Sequence, residues 1–221
     1  MTFPARQSGK LTQTAEFDQK RSVIDHVYQL GKNFMNSLCH PPFSAHTLTI
    51  DQNKKYNFLP ALSQSSLEEG AKVYMLVGSQ GDGAIYYVGQ TSKSITKRFY
   101  DGFREGNYGW AIANTKYTLL IWNLQDVFEG GIHLEAVEAE LVFAARIAQR
   151  AWPKLQAGIY FRHIVDQKGY QIAPYLAILM IEQYYDNLQE RRTTLSMNDI
   201  DIGQEKLSVS HQLKSLILPG T

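Results

Sequence analysis

The chain has 221 residues, of which 44% are hydrophobic and 19% charged, and its formal net charge is +1. This composition is typical of a globular protein and excludes a globally basic nucleic-acid binder, so any binding of nucleic acid must rest on a local patch. A chain of this length can bury one sizeable core with additions around it.

Three features of the sequence bear on its location in the cell. Cys39 is the only cysteine, so no intrachain disulfide can form and nothing indicates an oxidising compartment. Residues 1–17 lack the apolar segment of a signal peptide. The apolar run at 175–181 is too short to span a bilayer. We therefore expect a soluble, cytoplasmic protein with no membrane partner.

The N-terminal part, residues 1–70, predicts one helix followed by a connection. Apolar residues recur at helical spacing from about 16 to 38, and the sequence CHPP ends the run. Residues 43–70 contain Pro60 and several Ser and Gln side chains. This composition predicts a connection with little regular structure.

From residue 71 the pattern alternates between strands and helices. AKVYMLVG, the turn SQGDG and AIYYVGQT predict a β-hairpin. Ser94 is a suitable N-cap for a helix in which Ile95, Phe99 and Phe103 lie four residues apart. KYTLLIWNL predicts a third strand. HLEAVEAELVFAARIAQRAW predicts a second helix that ends before Pro153.

Residues 157–221 predict a C-terminal helical extension. Pro174 suits the first turn of a helix that runs to about Arg191. Its segment at 175–181 is apolar around much of the helix, which predicts burial against the core or in a homodimer. The tail from 192 is polar as far as the apolar SLIL at 215–218.

The stretch GAIYYVGQTSKSITKRFY, at 83–100, places two adjacent tyrosines on a strand and an arginine on the following helix. Tyrosine is a favoured strand residue, and alternation puts Tyr86 and Tyr87 on opposite faces of the sheet. Ordinary packing therefore accounts for at least one of them. The glycine of the following Val-Gly pair permits a close approach of the backbone.

The order of these motifs over residues 71–156 resembles that of the GIY-YIG nuclease family. KVY at 72–74 corresponds to the family's Gly-Ile-Tyr, YVG at 87–89 to its second motif, and Arg98 to its helix arginine. The resemblance implies an α/β (α+β) fold with a small core, in which a three-stranded antiparallel sheet is flanked by helices. It also implies an endonuclease that hydrolyses DNA phosphodiester bonds with Mg²⁺ or Mn²⁺.

The resemblance implies a role for each catalytic side chain. Tyr74 takes the proton from the attacking water, because a metal ion and Arg98 would favour its phenolate. Tyr87 orients the water or the phosphate. Arg98 is permanently charged and forked, so it can bind two phosphate oxygens. A glutamate holds the divalent cation.

The choice of that glutamate follows from the second helix. On a helical wheel Glu138 lies about 65° from the apolar centre, Glu140 about 95° and Glu135 beyond about 120°. Glu138 therefore borders the core, where a carboxylate needs a partner. We predict Glu138 as the metal ligand, with Glu140 in reserve. The alternative is that Glu138 only caps or forms a salt bridge.

Three positions depart from the family pattern. Lys72 replaces the first glycine, Gly102 lies where many members carry His or Tyr, and Gln156 lies where many carry Asn. Tyr100 is the hydroxyl nearest to Gly102 in sequence. The amide of Gln156 can make the same contacts from a longer side chain. Tyr100, Gln156 and Lys97 are the supporting candidates.

Basic and aromatic residues alternate over 93–116, a mixture that suits a DNA backbone with flanking base or sugar contacts. The predicted DNA-binding residues are Lys93, Arg104, Tyr108, Trp110 and Lys116. The alternative is a solvated helix face followed by a loop with aromatic anchors.

The choice of substrate depends on what surrounds the core. Additions flank it on both sides and no repair module is recognisable, so we expect a sequence-specific type II restriction endonuclease acting on double-stranded DNA. A homodimer would let a single-site enzyme cut both strands of a palindrome. A structure-specific or repair nuclease and a non-catalytic DNA-binding module remain alternatives.

Overall fold

The computed structural model describes residues 41–51, 53, 55–59, 61–79, 83–109, 111–125, 134–159, 167–194 and 202–217. All of them belong to one compact unit, His40–Thr221. The predicted helix at 16–38 and Trp110 lie outside the described residues.

Five strands form one antiparallel sheet in the order β2-β1-β5-β3-β4. The strands are β1 (Phe43–Ile50), β2 (Tyr56–Leu59), β3 (Lys72–Gly78), β4 (Ile85–Thr91) and β5 (Lys116–Asn123). The predicted class, mixed α+β, is confirmed, as are the hairpin of β3 with β4 and the strand β5. The prediction of three strands is wrong, because β1 and β2 extend the sheet.

The two additional strands lie in the segment 43–70, where little regular structure was predicted. In β1 the side chains of His46, Leu48 and Ile50 are buried, while those between them are partly exposed. When one face of a strand is exposed to solvent, only every second residue needs to be apolar, so the sequence gives a weak indication of the strand. β2 ends at Leu59, the residue before Pro60 in the sequence.

Five helices complete the described fold. They are α1 (Gln64–Leu67), α2 (Ile95–Arg104), α3 (Leu134–Gln149), α4 (Gln167–Thr194) and α5 (Ile202–Ile217). Ser94 caps α2 as predicted, since the Lys97 N–H donates to Ser94 Oγ at 3.2 Å. Within the described ranges, no helix combines the length and the apolarity needed to cross a membrane.

The C-terminal helices differ from the prediction in two ways. Pro174 lies inside α4, not in its first turn, so the packing of this helix outweighs the local disruption that a proline causes. The polar tail contains α5, in which Ile202, Val209 and Leu213 are buried. The apolar run at 175–181 is buried within the chain, and therefore does not require a homodimer.

The two faces of the sheet are covered by different elements. α3 packs against β3 and β4, and α4 packs on α3. On this side Trp122 of β5 is fully buried, and its Nε1–H donates to Gln183 Oε1 of α4 at 2.6 Å. α2 and the loop after it cover the other face. The cluster there comprises Leu48, Ile50, Tyr74, Leu76, Ile95, Phe99, Tyr108, Ala111, Tyr117, Leu119 and Ile121.

The outer edge of β4 is capped by glutamine side chains and by the chain after α3. Gln149 Oε1 accepts from the Ile85 N–H at 2.7 Å, and Gln156 Oε1 accepts from the Val88 N–H at 3.1 Å. The backbone N–H groups of 154–155 donate to β4 carbonyls. These contacts satisfy groups that an edge strand would otherwise expose. Gln156 thus supports the strand that carries the YVG motif.

Replacing Trp122 with phenylalanine tests the packing of α4 on the sheet. The change leaves a cavity and removes the donor to Gln183, so we expect the free energy of unfolding to fall by about 2–3 kcal/mol. Urea unfolding followed by circular dichroism measures this loss. The control is Trp152→Phe, which removes a half-buried indole beneath Arg146 and should cost less than about 1 kcal/mol. Equal losses would contradict the packing described.

Candidate active site

The candidate site is built around Tyr74, which lies on β3 beneath α2. Tyr74 pairs with Gly89 of β4. A Cβ atom at Gly89 would lie 2.6 Å from both Cζ and Oη of Tyr74, and 2.8 Å from Cε1 of Tyr87. The ring centres of the two tyrosines are 6.2 Å apart. The missing side chain at Gly89 therefore allows both rings to approach the same backbone.

Burial controls the ionisation of Tyr74. The residue is fully buried, and its hydroxyl has no hydrogen bond of good geometry within the described part of the chain. Burial raises the pKa of Tyr74 well above 10, Tyr108 and Tyr87 raise it further, and nearby Arg98 lowers it. The sequence predicted a phenolate favoured by a metal ion together with Arg98. Arg98 alone does not achieve this, because desolvation is the larger effect.

Arg98 of α2 connects the residues of the site electrostatically. Burial acts to lower the pKa of Arg98, whereas Tyr74, Tyr108 and Tyr87 act to raise it. The three tyrosines together outweigh burial, so the pKa of Arg98 lies above its ordinary value. The guanidinium therefore stays cationic although it is half-buried. Its Cζ atom lies 5.8 Å from the ring centre of Tyr108.

Tyr87 and Glu138 bring β4 and α3 into the same site. Burial raises the pKa of Tyr87 to about 12, with a further contribution from Glu138 and an opposing one from Arg98. Burial also raises the pKa of Glu138 to about 7, while Arg98 acts to lower it and Glu135 to raise it. The structure thus brings together the four residues predicted as catalytic: Tyr74, Tyr87, Arg98 and Glu138.

The reserve carboxylate, Glu140, lies elsewhere. It lines a cavity of about 20 Å³ together with Pro174 of α4 and Leu213 of α5. Burial raises its pKa, and neither Arg98 nor the tyrosines contribute to that shift. Of the two glutamates, Glu138 is therefore the one that interacts with Arg98.

The donor set suits a hydrated, hard cation. Across the ranges that the structure describes, no three His, Cys, Asp or Glu side chains form a cluster able to hold a metal ion. Mg²⁺ usually keeps several waters and takes one or two carboxylates together with substrate phosphate. Glu138 fits this pattern, because its half-buried carboxylate has a raised pKa that a neighbouring cation would lower.

The space beside Gly102 is filled by Tyr108. A Cβ atom at Gly102 would lie 2.2 Å from Cε2 and Cζ of the Tyr108 ring. Tyr108 Oη donates to the Arg98 carbonyl at 3.1 Å. Tyr108 was predicted as a DNA contact, but only 9% of it is exposed. Tyr100, the supporting hydroxyl predicted, is 57% exposed.

Tyr108 is the site residue whose position sequence reasoning missed. The available signal was Gly102 itself, a glycine on the buried side of an amphipathic helix. Glycine is unfavourable inside helices, so it commonly marks a close approach by another group. The sequence does not identify that group, because Tyr108 reaches it only through the loop that follows α2.

Lys72, two residues before Tyr74 on β3, stabilises the backbone that leads into the strand. Its side chain is fully buried, and Nζ donates to the carbonyls of Glu68 at 2.8 Å and Gly70 at 3.3 Å. Burial lowers the pKa of Lys72, with Glu68 and Glu69 opposing. Lys72 lies where the GIY-YIG motif has its first glycine. In this chain its side chain binds the backbone of the segment between α1 and β3.

The basic residues around α2 remain at the surface. Lys93 Nζ lies 2.7 Å from Asp101 Oδ2, and Arg104 lies 3.7 Å from the same carboxylate. Lys97 lies 3.8 Å from Glu69, and Lys116 is exposed at the start of β5. Exposed pairs of this kind are weak, so a phosphate can compete with the carboxylates for these side chains.

Comparison with known proteins adds no relative: no protein-family model matches the chain, and no curated protein or solved structure matches it. The chemistry of the site must therefore be judged from its own residues. It contains a permanent cation, buried phenols and a carboxylate with a raised pKa. Shifts of this kind are frequent at active sites.

Replacing Gly89 with alanine tests the close approach of Tyr74 and Tyr87. The added methyl group overlaps both rings, so we expect a loss of about 1–3 kcal/mol in the free energy of unfolding. Urea denaturation measures the change. Gly109→Ala is the matched control, because a Cβ at Gly109 meets nothing within 4 Å. If both variants were as stable as the wild type, the ring positions would be incorrect.

Replacing Glu138 with glutamine tests the burial of its carboxylate. The folded pKa of about 7 lies above the ordinary 4.5, so the folded state binds more protons between these values and loses stability as pH rises. In EDTA, we expect Glu138→Gln to be more stable than the wild type at pH 8, by on the order of 1–3 kcal/mol. Near pH 4 this advantage should disappear. Parallel stability curves from pH 4 to 8 would contradict this burial.

Proposed function

We propose that this protein is a metal-dependent endonuclease of the GIY-YIG type that hydrolyses DNA phosphodiester bonds. The observation that carries the proposal is the arrangement of Tyr74, Tyr87 and Glu138 around Arg98: the two tyrosine ring centres lie 6.2 Å apart, and the charge of Arg98 acts to lower the pKa of all three groups. These side chains come from three separate elements besides α2. Their convergence supplies groups that phosphodiester hydrolysis needs: a phosphate-binding cation, hydroxyls and a carboxylate for a hard cation.

Each side chain has a proposed part in the reaction. Arg98 binds phosphate oxygens through its fork and balances the negative charge that develops. Tyr87, which is more accessible than Tyr74, orients the water or the phosphate. Tyr74 Oη is the proposed proton acceptor; burial opposes its ionisation and Arg98 favours it. Glu138 would hold Mg²⁺ or Mn²⁺, which when bound supplies Lewis acidity at the phosphate.

The proposed substrate is double-stranded DNA, cut at a specific sequence as by a type II restriction endonuclease. The net charge of +1 gives little attraction over the whole surface. Lys93 and Arg104 are exposed at the two ends of α2, the helix that carries Arg98, and Lys116 is exposed at the start of β5. A cytoplasmic location and a homodimer on a palindromic site belong to the same proposal. Branched DNA is the alternative substrate.

Cleavage of DNA tests the function directly. Supercoiled plasmid and bacteriophage genomic DNA, incubated with the protein and Mg²⁺, should give discrete fragments, and EDTA should abolish them. Arg98→Lys keeps the charge but loses the fork, so we expect a rate about 100-fold lower. Arg104→Lys is the matched control and should remain within about threefold of the wild type.

The other outcomes discriminate among the alternatives. Cleavage of a four-way junction or a flap, with the plasmid and the bacteriophage DNA left intact, would indicate a structure-specific nuclease. Tight DNA binding without cleavage of any substrate would indicate a binding module. Cleavage that Arg98→Lys and Glu138→Ala leave unchanged would exclude the proposed site.

A further inference from the structure

Gly102 and Tyr108 occupy one shared space between α2 and the sheet. The ring of Tyr108 lies where any side chain at position 102 would have to lie, since a Cβ there would be 2.2 Å from two ring atoms. A glycine inside a helix costs stability relative to alanine. In α2 this cost is offset because the missing side chain of Gly102 leaves space for the aromatic ring of Tyr108 to pack.

Tyr108 contacts Arg98 in two ways, through its hydroxyl and through its ring. Tyr108 Oη donates a hydrogen bond to the backbone carbonyl of Arg98 at 3.1 Å. This carbonyl lies inside α2. The ring centre lies 5.8 Å from the guanidinium carbon, within the range of cation–π attraction. One residue therefore engages both the backbone and the charged end of Arg98.

The aromatic neighbours hold Tyr108 in this position. Its ring centre lies 5.7 Å from that of Phe99 and 5.5 Å from that of Phe103. Both phenylalanines belong to α2, which also carries Arg98. Because Tyr108 is buried among them, its hydroxyl is directed by packing and not by solvent. A buried side chain of this kind is suited to orient another group and unsuited to bind DNA on its own.

We infer that Tyr108, packed against Gly102, is the positioning residue that orients the Arg98 guanidinium toward phosphate. For its catalytic consequence the inference rests on the proposed function. Loss of the Tyr108 hydroxyl should weaken the hold on phosphate as charge develops, and leave initial binding of DNA to the surface lysines and arginines. The expected signature is a lower kcat with KM little changed.

Tyr108→Phe is the decisive variant, because it keeps the ring and removes only the hydroxyl. With Mg²⁺ and plasmid DNA, we expect kcat to fall about 10-fold and KM to stay within about twofold. Gly102→Ala, which displaces the ring, should lower kcat further, by about 100-fold. Leu48→Val is the matched control: it perturbs the same cluster from β1 and should keep the wild-type kcat.

A second readout does not depend on cleavage. The Nε–H resonance of Arg98 in nitrogen-15 NMR spectra, assigned by its absence in Arg98→Lys, reports whether the guanidinium is held in one orientation. Tyr108→Phe should shift and broaden this resonance, and Leu48→Val should leave it in place. A tyrosine that only fills the core would leave kcat and the Arg98 resonance unchanged in Tyr108→Phe.

The two readouts separate this inference from the proposed function. If the wild type cleaves DNA and Tyr108→Phe changes neither kcat nor the resonance, the positioning role is wrong and the nuclease stands. If the wild type cleaves no DNA but the resonance responds to Tyr108→Phe, Tyr108 positions Arg98 in a site with another function. If the resonance does not respond, the inference fails whatever the activity.

Discussion

The close approach of the Tyr74 ring to the backbone of Gly89 is the constraint on which the site depends. β3 is buried along its whole length, so Tyr74 can only lie in a space prepared for it by its neighbours. Gly89 leaves that space open, and Tyr87 lines its other side. The phenol then meets α2 at Arg98, and the remaining groups of the site assemble around that arginine.

Burial gives the groups of the site their unusual protonation behaviour. It makes the phenols of Tyr74 and Tyr87 harder to ionise and raises the pKa of Glu138 to about 7. Arg98 opposes all three shifts and keeps its own charge. Each group thus depends on the same cation. A change at Arg98 should therefore alter the ionisation of residues on three other elements.

The elements that could be predicted from the sequence were those with a strong periodic pattern. The hairpin of β3 and β4, the capped helix α2 and the helix α3 fall in this group, and with them the placement of Arg98 and Glu138. β1 was missed because only three of its eight side chains are buried, and one of these, His46, is polar. The start of α4 was missed because tertiary packing outweighs Pro174. The position of Tyr108 depends on how a loop returns to α2, which no local pattern encodes.

Metal binding at Glu138 is the most direct test of the central claim that these residues form one phosphate-handling site. Mn²⁺ would be titrated into the wild type and into Glu138→Gln in the presence of a short DNA duplex, and binding followed by the relaxation of water protons. We expect a saturable site in the wild type that is lost in Glu138→Gln. Equal Mn²⁺ binding by both proteins would contradict it.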